Sequence, residues 1–148
     1  MRCVIKPMTL ADYDEALRLW QNTEGVGLNE SDARNAIALY LKRNPRMSFV
    51  AREGRELVGA VLCGHDGRRG CLYHLAIAPA HRRKGIGTKL VARCLAALKR
   101  ARILKCNIFV YNHNADGERF WSSHGWKKRE ELCMAQKDLG SPRAKRSS

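Results

Sequence analysis

The chain has 148 residues, 45% of them apolar, and 28 Lys and Arg against 14 Asp and Glu give a formal net charge of +14. That length suits one domain with one core, and no run reaches the roughly 18 apolar residues that would span a bilayer, which argues against a membrane protein. The surplus of positive charge attracts anions of every kind, including nucleotides, acidic proteins and nucleic acid, and selects none of them.

From the N-terminus, Cys3-Val4-Ile5 reads as a short strand ended near Pro7. No long apolar segment of a secretion signal precedes it, so a cytoplasmic protein is expected. Thr9-Leu10-Ala11-Asp12 has the form of a helix-start box, with the Thr hydroxyl capping backbone N–H groups and Asp12 in the first turn. The helix it opens is expected to run to about Asn22, with Tyr13, Ala16, Leu17 and Trp20 on one face. Gly25-Val26-Gly27 breaks it. Ser31-Asp32 opens a second helix carrying Ala33, Ala36, Ile37, Tyr40 and Leu41, which ends before Asn44-Pro45.

A hairpin follows, Met47 to Arg52 and Glu56 to Cys63, around the turn Glu53-Gly54-Arg55. The loop Gly64 to Gly70 leads into the apolar strand Cys71 to Ile77, closed by Ala78-Pro79. After Gly87, the residues Leu90, Val91, Cys94, Leu95 and Leu98 line one face of a helix. Ile103 to Tyr111 reads as a buried strand, Gly117 to His124 as a short helix with Gly125 past its end, and Lys128 to Lys137 as a last strand. Strands grouped before mixed strand–helix units predict an α+β fold, a sheet with helices packed on it. From Gly140 to Ser148 the chain is basic, polar and aperiodic, so residues 1–139 are expected to form the domain and 140–148 a disordered tail.

The six cysteines stand singly, with no C-x-x-C pair, and all are expected to be reduced. Four of them (Cys63, Cys71, Cys94, Cys106) lie in apolar runs, where a thiol behaves as a small hydrophobe. The five histidines show no paired ligand spacing, so no metal site is expected.

The strongest local signal is a buried strand, a short turn with Pro79, and then Arg82-x-x-Gly85-x-Gly87 opening a helix. A first helical turn has unpaired backbone N–H groups and a partial positive charge, and so binds phosphate. Gly85 and Gly87 allow a bulky anion close to the backbone, and Arg82, Arg83 and Lys84 add charge-assisted contacts. Taken alone, the same pattern is also that of a tight turn with a solvated basic cluster. It is neither a Walker loop nor the three-glycine dinucleotide fingerprint.

With Asn114-x-x-Gly117-x-x-Phe120-Trp121-x-x-x-Gly125-Trp126 downstream, the chain resembles the GCN5-related N-acetyltransferase (GNAT) superfamily. Those proteins carry R/Q-x-x-G-x-G/A after a strand, then N-x-x-A-x-x-F/L-Y-x-x-x-G-F. The resemblance spans about residues 2–139, and Asp66 to Gly70 with Tyr73 and Leu75 is further similar to the YpeA-type branch of small bacterial acetyltransferases. It implies a mixed, mostly antiparallel central sheet of about six strands with about four helices. It implies acetyl-CoA as acyl donor, its phosphates held by Arg82, Arg83, Lys84, Gly85, Ile86, Gly87 and Thr88. The pantetheine arm would pair with the backbone of Leu75, Ala76 and Ile77, and one N–H of that strand would face the thioester oxygen. Asn114 would touch the arm near the thiol, beside Trp121.

The reaction implied is direct transfer of acetyl to an amine in a ternary complex. Two positions depart from the family pattern. Trp121 stands where the family's proton-donating Tyr is usual, and indole N–H cannot supply a proton at neutral pH. Phe109 stands where relatives that modify ribosomal-protein N-termini carry a Glu base. Substitute proton carriers are Tyr111, His124, Tyr73 and His74, each of which also has a packing explanation. Trp20, Glu24, His65, Asp66 and Tyr73 are expected near the amine acceptor. The sequence is also compatible with a homodimer. Two rival readings also fit the residues: a degenerate acyl-CoA-binding protein, favoured by Trp121, and a nucleic-acid-binding module, favoured by net charge but lacking any RNA-binding or zinc signature.

Overall fold

The computed structural model describes residues 2–140, and the chain forms two compact units, one within Met1–Phe109 and one within Val110–Ser148. Apart from Gly140, the expected tail of 140–148 lies outside the described residues.

The first unit holds a five-stranded sheet in the order β1 (Cys3–Pro7), β2 (Phe49–Glu53), β3 (Glu56–His65), β4 (Gly70–Ile77) and β5 (Cys106–Asn107). The first four run antiparallel in succession, and β5 pairs parallel to β4. Between β1 and β2 lie α1 (Tyr13–Gln21) and α2 (Arg34–Arg43), each entered through a single 3-10 turn. At the α1 entry Asp12 stands in the first turn as expected, and its carboxylate, in place of the Thr9 hydroxyl, makes the bracing bond, accepting from the Thr9 N–H at 2.9 Å. Helix α3 (Ile86–Arg100) follows β4.

Strand β3 explains the layering. Its residues alternate between faces, yet Leu57 to Gly64 are all buried, because both faces are covered. Ala60 belongs to a cluster with Tyr13, Ala16, Trp20, Ile37 and Val50. Its neighbour Gly59 faces α3, where an added Cβ would stand 3.1 Å from Leu90 and 3.0 Å from Ile77. The second unit contributes α4 (Ala115–Ser123), capped by the Asn114 side chain, which accepts from the Gly117 N–H at 3.0 Å.

The α+β sheet with four helices agrees with expectation, and two expected strands do not. The strand expected over 103–111 shrinks to Cys106–Asn107. Ile103 is consumed by the end of α3: Arg102 turns left-handed (φ 65), its N–H reaches Lys99 O at 2.9 Å, and the Ile103 N–H reaches Leu98 O at 3.0 Å. The strand expected over 128–137 does not form. Five successive charges, Lys127 to Glu131, give it no apolar face to bury, and Leu132 N–H closes a turn onto Arg129 O at 3.3 Å. Among the described residues no helix is long and apolar enough to cross a membrane.

Candidate functional site

Strand β4 sets up the site through two irregularities. Its register against β3 shifts between Ala60 and Leu62, a bulge that leaves His74 at φ 57. On its other side β5 pairs only with Gly70 and Cys71. From Leu72 to Ile77 β4 has no strand partner there among the described residues. A sheet parted in this way offers a row of backbone N–H and C=O groups to an extended ligand, as an edge strand does.

That edge runs directly into the basic loop. Arg82 is extended and its Nε donates to Ile77 O at 2.9 Å, tying the loop to the end of β4. Arg83 (φ 63) and Gly85 (φ 79) are both left-handed, and Gly85 is the N-cap of α3. Arg82, Arg83, Lys84 and Gly85 are exposed, as is Thr88, whereas the Ile86 side chain is 4% exposed and anchors the helix start in the core. Ile86 and the half-buried Gly87 therefore offer backbone to a ligand. Strand edge, cationic loop and helix N-terminus form one continuous run, Leu75 to Thr88, within the first unit.

Beside the bulge sits a polar cluster that the sequence does not announce. His74 Nε2 lies 2.8 Å from Asp32 Oδ1, with only 14% and 10% of the two side chains exposed. The His74 carbonyl accepts from Trp20 Nε1 at 2.8 Å. The Asp32 carbonyl accepts from the Tyr13 hydroxyl at 2.6 Å. Tyr73, next along β4, stacks on Phe109 (6.2 Å, 23°) and meets Tyr40 edge-on (6.4 Å). Burial, with Cys71 beside it, pushes the Tyr73 hydroxyl well above the usual phenol range, so it stays protonated at neutral pH.

Of the residues expected near an acceptor, Trp20 is fully buried and serves the core. Asp66 shapes its own loop, accepting from the Arg68 and Arg69 N–H groups at 2.8 Å, and those bonds hold its carboxyl below the usual range. His65 Nδ1 likewise accepts from the Gly67 N–H at 2.9 Å. Tyr111, Asn114, Trp121 and His124 belong to the second unit. There Tyr111 stacks on His113 (5.3 Å), Trp121 packs edge-on against Phe120 and Trp126, and His124 Nδ1 lies 2.7 Å from Phe120 O. Among the described residues no group of three His, Cys, Asp or Glu is placed to hold a metal ion.

The profile of the acetyltransferase (GNAT) family matches residues 13–126. An acetyltransferase of Sodalis glossinidius is 30% identical over 103 residues, covering 70% of this chain and 72% of its own. One from Yersinia enterocolitica is 29% identical over 110 residues, covering 74% and 77%. Among solved structures, the PaiA N-acetyltransferase of Thermoplasma acidophilum in complex with coenzyme A has a TM-score of 0.75 at 18% identity, over 86% of this chain and 91% of that one.

Proposed function

The chain belongs to the acetyltransferase (GNAT) family, and from that premise we propose that it is an N-acetyltransferase, moving the acetyl group of acetyl-CoA to the amine of a small molecule or peptide. The observation that carries this reading is the parted edge of β4 running unbroken into Arg82 to Gly87 and the start of α3. A pantetheine arm is an extended chain with amide groups, suited to a strand edge, and a pyrophosphate suits a helix N-terminus flanked by Arg83 and Lys84. The relative solved with coenzyme A shares this fold, which supports the same donor here.

In this reading residues 1–139 act as the transferase and work in the cytoplasm. The backbone of Leu75 to Ile77 holds the thioester against the bulge, where an N–H of the strand stabilises the charge that grows on the carbonyl oxygen. The chain's task is then to seat a neutral amine against that carbon, and positioning supplies much of the acceleration. The thiol that leaves has an ordinary pKa of roughly 8.5, so it departs without help from an acid, which accommodates Trp121 in the second motif.

The test is release of free CoA thiol from acetyl-CoA over a panel of amines and peptides. Turnover with at least one amine is expected. Tight acetyl-CoA binding with no turnover across the panel would replace this reading with that of an acyl-CoA sensor.

A further inference from the structure

We propose that His74, oriented by Asp32, takes the proton that the attacking amine must lose, an assignment that rests on the acetyltransferase reading above. Asp32 is fixed from three sides. Its Oδ1 meets His74 Nε2 at 2.8 Å, its Oδ2 accepts from the Asn29 N–H at 3.1 Å, and its carbonyl receives the Tyr13 hydroxyl. His74 occupies the bulge at φ 57, a conformation uncommon outside glycine that persists only where its surroundings enforce it. The indole of Trp20 supplies one such restraint through the His74 carbonyl. Capping the turn at Asn29 accounts for one Asp32 carboxylate oxygen and leaves the other to His74.

The chemistry follows from the pairing. An ionised carboxylate only accepts hydrogen bonds, so Asp32 keeps the imidazole proton on Nε2 and leaves the lone pair on Nδ1. His74 immediately precedes Leu75, the start of the segment assigned to the thioester. One N–H bond of the ammonium breaks and its proton passes to Nδ1. The freed lone pair forms the N–C bond at the thioester carbonyl, and the C–S bond breaks with its electron pair leaving on sulfur. The second N–H proton ends on that thiolate, giving amide and CoA thiol, and the imidazolium returns its proton to water. The groups against the pair are Tyr13 of α1, through the Asp32 carbonyl, Trp20 of α1, whose ring lies 5.2 Å from that of His74, and Tyr73 of β4 at 6.4 Å; Arg34 of α2 lies over the far partner, Tyr13, and pairs with Asp14.

His74→Gln and Asp32→Asn test this on the full chain. The amide introduced by Asp32→Asn keeps a polar contact but offers its N–H to Nε2, which moves the ring proton to Nδ1 and blocks the acceptor. Acetyl-CoA affinity is measured by calorimetry. kcat/KM is measured from about pH 6.5 to about pH 9.5 with alanyl-alanine amide, whose α-amine has a pKa of about 8, and Nα-acetyl-lysine amide, at about 10.4. Both variants should bind acetyl-CoA as the wild type does and, near pH 6.5, lose about 100-fold in rate with the lysine amide, the lower end of what a positioned base contributes, and about 30-fold with the dipeptide, of which about 3% is already neutral there. With the dipeptide the loss should shrink to within about threefold near pH 9.5, where the amine is already neutral, whereas the lysine amide, only about one tenth neutral there, should still show a loss of about tenfold. A loss that is flat with pH and equal for both amines, or no loss, or a loss of acetyl-CoA affinity, overturns the assignment while leaving the acetyltransferase reading standing. A wild type that turns over neither of these amines nor any member of the amine panel overturns both.

Discussion

At Gly85 the backbone is left-handed (φ 79) and no atom lies within 4 Å of where a side chain would start, so conformation and charge decide the effect of a substitution there, and crowding does not. A left-handed L-residue costs roughly 1–2 kcal/mol, and Asn tolerates that region best. Gly85→Glu would also set a carboxylate beside phosphate, a repulsion of about 4 kcal/mol at 4 Å for an effective dielectric of 20. Calorimetry should show at least a 100-fold loss of acetyl-CoA affinity for Gly85→Glu, about 2.7 kcal/mol, and within about fivefold of wild type for Gly85→Asn. Equal losses would make this a backbone effect and remove the anion site. Trp121 calls for the opposite expectation. Its ring packs edge-on against Phe120 and Trp126, and Trp121→Phe keeps an apolar wall, so kcat should stay within about tenfold. A thousandfold drop, about 4 kcal/mol, would mean that the indole takes part in the chemistry. Site residues differed in how legible they were. The loop from Arg82 to Gly87 declares itself because its glycines and cations are neighbours in sequence, opening a helix. Asp32 and His74 are 42 positions apart, and Asp32 reads as an ordinary helix-start residue until the fold closes.

Among the elements, β4 concentrates what is unusual, and Trp20 of α1 holds it. The indole donates to His74 O at the bulge from a fully buried position. Trp20→Phe keeps an aromatic ring but leaves that carbonyl without its donor, a cost of about 1–3 kcal/mol, to which the smaller ring adds a cavity. Thermal melts should show a midpoint lower by about 5–10 °C. Leu39→Ala, on an exposed face of α2 (69% exposed), should change stability by less than about 0.5 kcal/mol. A Trp20→Phe melt that overlays the wild type would mean that the bulge keeps its shape without the indole. The contrast between elements also explains what periodicity could see. The helices α1 and α3 show apolar residues at three-to-four spacing, and their sequence boundaries fall close to the observed ones. The bulge depends on two strands at once, and no single segment encodes it. The run from Ile103 to Tyr111 is apolar enough for a strand, but the cap of α3 takes its first residue and β4 pairs with only two of the rest.

For the molecule as a whole the dominant quantity is charge, +14 in 148 residues. In an anion-binding protein a surplus of that size acts in two ways, through contact at the loop and through a field over the whole surface. Salt separates them, since exposed charges further apart than about 8 Å are largely screened at 0.15 M ionic strength. The residues from Ser141 onward carry three of the 28 basic side chains, Arg143, Lys145 and Arg146, outside the segment that matches the family. If those three contribute only to the field, deleting 141–148 should leave acetyl-CoA affinity within about twofold at 0.15 M salt. At about 0.01 M, where screening reaches only to about 30 Å, the truncated chain should bind detectably more weakly than the full one. Calorimetry at the two salt concentrations checks both limbs. A tenfold loss at 0.15 M with an unchanged thermal midpoint would place one of these cations in contact with the ligand, and the transferase would then have to extend beyond residue 139.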